Sequence, residues 1–225
     1  MQTLLALLFA MLLQAGPVTT SVHLKPGDTI PSTKFVDQTG RQVSFDAWRG
    51  KFVVLSFIYT RCRDANECPL ISAKYQQLQS KLGPNAHLVE MSIDPEYDRP
   101  PVLAKYARVF QFKPDRVTLL TGEPKTILEF AAMFGVTAYT DPKYGFVHNE
   151  NTVIIDPEGK IADYLPEATW PADEIVSQIA NYSIRPRPFG GEFARLFLWV
   201  AAFIATGALL AVTFVKLFGR NRVRQ

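Results

Sequence analysis

Two thiols and one imidazole are the side chains whose types and spacing can do chemistry here. Cys62 and Cys68 are the only cysteines, and five residues, Arg63, Asp64, Ala65, Asn66 and Glu67, separate them. Such a pair can close a disulfide, exchange with another one, or hold a soft metal ion as thiolates. Of the three histidines, His148 stands apart, because it lies in GFVHNENTVIIDPEG, at the start of a late strand expected beside the central one. Its imidazole can therefore reach the cysteine loop. Two thiolates and an imidazole suit copper, Cu(I) above all, whereas a structural zinc site asks for a fourth protein ligand. His23, in the start of the chain, and His87, after Gly83-Pro84-Asn85-Ala86, read as solvated polar residues.

The surroundings of the thiols tune them in opposite directions. Pro69 after Cys68 suits a first helical turn, where a missing N–H costs nothing, so the loop from Thr60 to Glu67 leads into a helix. The positive end of that helix, with Arg61 and Arg63, favours thiolate; Asp64 and Glu67 oppose it. Either of these acids is also an oxygen donor able to stand in for His148.

The elements that must position these groups follow from periodicity. Phe52 to Tyr59 is a near-continuous apolar run rich in β-branched and aromatic residues, a strand buried on both faces. Before it, Asp37-Gln38-Thr39-Gly40 is turn chemistry joining two short strands, and Asp46 to Gly50 is a tight connection. After it, Leu70, Ile71, Tyr75, Leu78 and Leu82 recur at helical spacing and stop at Gly83-Pro84. Strands follow at His87 to Ile93, Val117 to Leu120, Phe146 to Asp156 and Ile161 to Leu165. Helices are expected from Pro100-Pro101 through Val109, over Ile127 to Phe134, and over Ile175 to Tyr182. Strands alternating with helices and finishing in a hairpin and a helix predict an α/β, thioredoxin-like fold.

The two ends read differently. Leu4 to Leu13 covers about 15 Å as a helix, too short for a bilayer core of about 30 Å, and resembles the apolar part of a signal peptide over residues 1–16. Ile184 to Gly191, with two prolines and two glycines, reads as a linker over 184–192. Leu196 to Val215 is uncharged and long enough to span, so a C-terminal transmembrane helix is expected over 193–218 and a basic cytoplasmic tail over 219–225. Five of the 24 basic residues (Arg195, Lys216, Arg220, Arg222, Arg224) fall after Phe193 with no acid among them; the rest of the chain has 19 against 21 acids, a net charge of −2. The basicity thus belongs to the tail, which argues against a nucleic-acid-binding domain. Export would place the domain, residues 24–183, outside the cytoplasm, on the periplasmic side of a bacterial cytoplasmic membrane, where cysteine pairs can oxidise.

There a structural disulfide is one use of Cys62 and Cys68. Closing the seven-residue segment is worth roughly 2.4 kcal/mol in the chain-entropy model, a modest gain for a domain able to bury a sizeable core. Position favours function, because the pair sits at the strand-to-helix exit of the sheet. Metal binding and thiol-disulfide exchange both remain open.

LSFIYTRC with CPL, then MSIDPEYDRPPVLAKYA, then YGFVHNENTVIIDPEGKI resemble the Sco/SenC family of thioredoxin-fold copper chaperones, and the likeness covers roughly Ile30 to Tyr182. The resemblance implies copper bound by Cys62, Cys68 and His148, and a role in assembling the dinuclear copper A centre, with the cytochrome c oxidase subunit that carries it as partner. Two features depart from the pattern. The family usually places three residues between its cysteines, and its anchor lies at the N-terminus.

Overall fold

The computed structural model describes residues 23–141, 145–184, 198–204 and 206. The expected signal peptide, most of the linker and the tail lie outside them. The chain falls into two units, Met1–Ile179 and Ala180–Gln225. Of the expected membrane span, residues 198–204 and 206 are described and are helical. Among the described residues no helix is long and apolar enough to cross a membrane.

The first unit is built on strand β3, Phe52–Ile58, in which all seven residues are buried. Strands β1 (Phe35–Asp37) and β2 (Gln42–Val43) form the expected hairpin. Its turn is made by Asp37, whose Oδ1 accepts from the amides of Thr39 at 2.8 Å and Arg41 at 3.0 Å, and by Gly40 at φ +85°, a region that other residues enter at a cost. A 3₁₀ turn, Phe45–Trp48, leads into β3.

Next come α1 (Cys68–Lys81), β4 (Ala86–Ser92), α2 (Pro100–Val109), β5 (Val117–Thr121) and α3 (Pro124–Met133). Each of these helices carries proline in its first turn, where the missing N–H is one that no helix satisfies internally. The chain closes with β6 (Ala138–Asp141), β7 (Gly145–His148), β8 (Asn151–Ile155), β9 (Ile161–Pro166) and α4 (Ala172–Ile184). Among the described residues the main sheet has seven strands in the order β2-β1-β5-β4-β3-β8-β9, while β6 and β7 pair separately. β3 lies parallel to β4 and antiparallel to β8.

One expectation needs correction here. The stretch Phe146 to Asp156 is not one strand but two, β7 and β8, broken at Asn149 and Glu150. Asn149 explains the break: its side chain accepts from the Thr137 amide at 2.7 Å and donates to the Gly135 carbonyl at 2.8 Å. Those bonds turn β7 away to pair with β6, a strand that the apolar pattern does not reveal.

Alternation along β3 divides the core. Val53, Leu55 and Phe57 join the apolar cluster that holds Phe35, Phe45, Phe130 and Phe134. The Phe35 and Phe130 rings meet edge-on at 4.8 Å, and Phe57 lies 5.7 Å from Phe134. Beneath α1 lies a polar strip instead. Ser56 Oγ is 2.7 Å from Thr152 Oγ1 and accepts from the Tyr75 hydroxyl at 2.8 Å, while Ser72 pairs with Tyr106 at 2.8 Å. His87 differs from its expected solvated state. It is buried, stacked 4.9 Å from Trp48 and bonded to Thr118 at 2.9 Å, and burial brings its pKa down to about 4.

Candidate metal centre

Beyond Ile58 the chain turns at once, with the Cys62 amide donating to the Tyr59 carbonyl at 3.2 Å. Asp98, fully buried, clamps this turn. It accepts from the Thr60 amide at 2.9 Å, from the Thr60 hydroxyl, and from the Ser92 hydroxyl at 2.7 Å. Burial raises the Asp98 carboxyl, and these hydroxyl and amide donors work against the rise. Arg61 donates to Asp94 at 3.0 and 2.5 Å and lies 4.3 Å from the centre of the Tyr97 ring. Its charge is taken up there rather than by the thiols.

Cys68 opens α1 and is fully buried, whereas Cys62 is half-buried; both thiols are free. The Cys62 thiol is pulled down to about 6, first by the Cys68 thiol beside it, with burial opposing and the backbone at Asp64 and Cys68 assisting. Cys68 moves far above the ordinary thiol range, because Cys62 ionises first and because Cys68 is buried. The intervening loop is itself ordered by turn chemistry. Asp64 Oδ1 accepts from the Asn66 amide at 2.9 Å, so that carboxylate is engaged in the turn. Glu67 Oε2, by contrast, lies 3.7 Å from Cys62 Sγ and 3.7 Å from His148 Nε2.

His148, at the end of β7, brings its Nε2 to 3.9 Å from Cys68 Sγ. The imidazole is only 3% exposed and is walled by Tyr59 at 5.2 Å, edge-on, and Phe146 at 6.3 Å. Its Nδ1 lies 3.2 Å from the Asn149 carbonyl. A carbonyl can only accept, so the bond puts the proton on Nδ1 and leaves the Nε2 lone pair facing the sulfur, the arrangement a metal-binding imidazole requires. The fold therefore brings His148 to Cys68, while Cys62 stands at the same mouth beside Glu67 and outside the close group that Cys68 and His148 form with a third side chain.

Sequence reasoning missed Glu150. One carboxylate oxygen of Glu150, Cys68 Sγ and one ring nitrogen of His148 all lie within 4.8 Å of one another. Glu150 Oε1 is buried without a hydrogen-bond partner among the described residues. Burial, with the charges of Glu67, Cys62 and Asp64, raises its pKa to about 7, against a smaller opposing pull from Lys74. A signal existed in the sequence: on the single strand expected over Phe146 to Asp156, His148 and Glu150, two apart, would share a face, although in the fold they lie on either side of the corner at Asn149.

A thioredoxin-like sheet with a dithiol at its strand-to-helix exit and an imidazole against the buried thiol defines a thiol-based metal or redox protein. The chain belongs to the SCO1/SenC family, whose model matches residues 23–183. It is 29% identical over 156 residues to the SCO1 protein homolog of Bacillus subtilis, covering 66% of this chain and 80% of that one. It is also 29% identical over 156 residues to protein sco1 of Schizosaccharomyces pombe, but spans only 58% of that protein's length. Among solved structures it resembles BsSco, described as a member of the Sco family of cytochrome c oxidase assembly proteins that has a disulfide switch, with a TM-score of 0.61 and 26% identity over 72% of this chain and 98% of that one. The copper-bound Arabidopsis thaliana ScoI shares the fold, with a TM-score of 0.56 and 24% identity over 70% of this chain and all of that one.

Proposed function

We propose that this chain binds copper through Cys62, Cys68 and His148 and serves as a copper chaperone in assembly of the copper A centre of cytochrome c oxidase. The observation that carries the proposal is the 3.9 Å approach of His148 Nε2 to Cys68 Sγ with Nδ1 tied to a carbonyl. Two thiolates and a neutral imidazole, reached from one side through the half-buried Cys62, fit a soft ion that must enter and leave. The relatives support the reading: BsSco is described as belonging to a family of oxidase assembly proteins, and a plant relative has been solved with copper bound. The partner is then the oxidase subunit that receives copper. The apolar run from Leu196 to Val215 supports a membrane anchor, with the domain on the periplasmic side of a bacterial cytoplasmic membrane.

Titration of the reduced full chain with Cu(I) in competition with a chromogenic chelator tests this. One copper per chain is expected, with most affinity lost in Cys62→Ser or Cys68→Ser and a smaller loss in His148→Ala, because soft sulfur dominates for this ion. Absence of copper binding by the reduced wild-type chain would overturn the proposal. A second reading, thiol-disulfide exchange, is favoured by one observation, the asymmetry between an accessible thiol with a lowered pKa and a buried one with a raised pKa. An attacking thiolate and a protected partner have this form. Disulfide exchange by a chain that binds no copper would favour it.

A further inference from the structure

We propose that Glu150 is an additional ligand at this site, an oxygen donor that engages copper in its oxidised, cupric state and not in its cuprous one. The inference rests on copper binding through Cys62, Cys68 and His148, as proposed above. Its basis is geometric: a Glu150 oxygen lies within 4.8 Å of both Cys68 Sγ and an imidazole nitrogen of His148, separations that a single bound ion can bridge.

One oxygen of this carboxylate has no competing engagement among the described residues. Glu150 Oε1 is out of contact with water and has no hydrogen-bond partner among the described residues, a state that polar atoms in folded proteins rarely hold without a reason. The ammonium of Lys74, which acts electrostatically on Glu150, is itself committed to the Ala168 carbonyl and to the Trp170 ring 4.5 Å away. Of the other carboxylates near the mouth, Asp64 is engaged by the Asn66 amide, and the Glu67 side chain is 46% exposed and hence hydrated. Glu150 is the acid that gains most from meeting a cation.

Charge and softness assign the oxidation state. A cuprous ion held by two thiolates already carries a net charge of −1, and a carboxylate would take the site to −2 in a mostly buried pocket, which desolvation opposes. A cupric ion with the same thiolates is neutral, so one carboxylate adds only a single charge. Cupric ion also accepts harder oxygen donors and favours tetragonal coordination by four ligands, whereas cuprous ion favours soft sulfur. With Cys68 and His148, Glu150 makes three donors within reach of one ion, and Cys62, by the copper reading proposed above, is the fourth.

The test compares the full-length wild type with Glu150→Gln, which keeps the shape and removes the anionic oxygen, and uses Glu67→Gln as the control acid. Cupric affinity is measured by competition and the coordination by electron paramagnetic resonance; cuprous affinity is measured separately under reducing, anaerobic conditions. The expected result for Glu150→Gln is a cupric affinity lower by about tenfold or more, a loss that even an outer-shell partner's removal can cause, with altered copper hyperfine coupling. Its cuprous affinity should equal that of the wild type, which also shows the variant folded. Unchanged cupric affinity and spectrum, parallel loss of both ions, or an equal cupric loss in Glu67→Gln would each overturn the assignment while copper binding itself stands. A wild type that binds neither ion would instead remove the copper reading beneath it.

Discussion

His148 Nε2 stands 3.9 Å from Cys68 Sγ although 80 positions separate the two residues in the chain. Asn149 holds that distance. Its side-chain bonds to Thr137 and Gly135 fix the corner between β7 and β8, and its carbonyl orients the imidazole. Asn149→Ala leaves every proposed donor in place. It should nonetheless weaken cuprous binding while lowering unfolding stability by only about 1–2 kcal/mol, the scale of two partly exposed hydrogen bonds. Chelator competition and urea unfolding check the two parts, and an unaltered copper affinity would show that the corner is held elsewhere.

Asp98 does the same for the cysteine side. Three donors from Thr60 and Ser92 converge on its buried carboxylate, tying the end of β3 to the end of β4. Asp98→Ala leaves those donors without their acceptor, and a cost of about 3 kcal/mol is expected, since each buried donor left unpaired costs about 1–3 kcal/mol. Asp98→Asn retains the shape but replaces one acceptor oxygen with an amide, so its loss should be smaller. Urea midpoints of the two variants measure the order; equal midpoints would show that the turn does not depend on Asp98.

The Cys62 thiol, pulled down to about 6 from an ordinary 9.0, predicts a pH profile. In the reduced, copper-free chain, alkylation of Cys62 should rise with pH and reach half its plateau near pH 6, while Cys68 stays unreactive below pH 9 because it is buried and its thiol is raised. The first cause of the lowering is Cys68, so Cys68→Ala should move the Cys62 midpoint upward, towards 9.0. Rates by mass spectrometry decide the matter; a midpoint near 9 in the wild type would count against the lowering of Cys62 by Cys68.

The sheet was legible because its central strands leave little choice. A near-continuous apolar run of seven residues buried on both faces, helices opened by Pro69, Pro100 and Pro124, and a stop at Gly135 with φ +73° are local signals that tertiary packing reinforces. The surroundings of Cys62, Cys68 and His148 were legible only in part. That His148 lies close to the cysteine loop follows from strand order, but its position on β7 depends on an asparagine corner, and Asn149 gives no periodic signal. Arg61 looked like support for a thiolate until Asp94 took its charge, and His87 looked solvated until Trp48 covered it. Both outcomes depend on partners more than ten positions away, which no pattern within a strand or helix can supply.

Glu90 gives the last prediction. It sits in β4 opposite Ser56, is fully buried, and neither carboxylate oxygen has a hydrogen-bond partner among the described residues; the Ser72 hydroxyl close by is held by Tyr106. Burial raises its pKa from 4.5 to about 8, with Ser72 opposing. Because the folded-state value lies above the unfolded one, the contribution of this proton to stability is fully present below about pH 4.5 and is lost as pH rises through about 8. Between pH 7 and pH 9 the buried acid must ionise, and one pKa unit corresponds to about 1.4 kcal/mol. The stability gained by Glu90→Gln over the wild type should therefore grow by about 1.4 kcal/mol from pH 7 to pH 9. Cys62 and Cys68 titrate in both proteins and drop out of the difference, while His87, lowered to about 4, is already neutral across this range. Urea unfolding of both proteins under reducing conditions at the two pH values measures the difference directly, and a difference that stays constant would mean that Glu90 keeps its charge inside the fold.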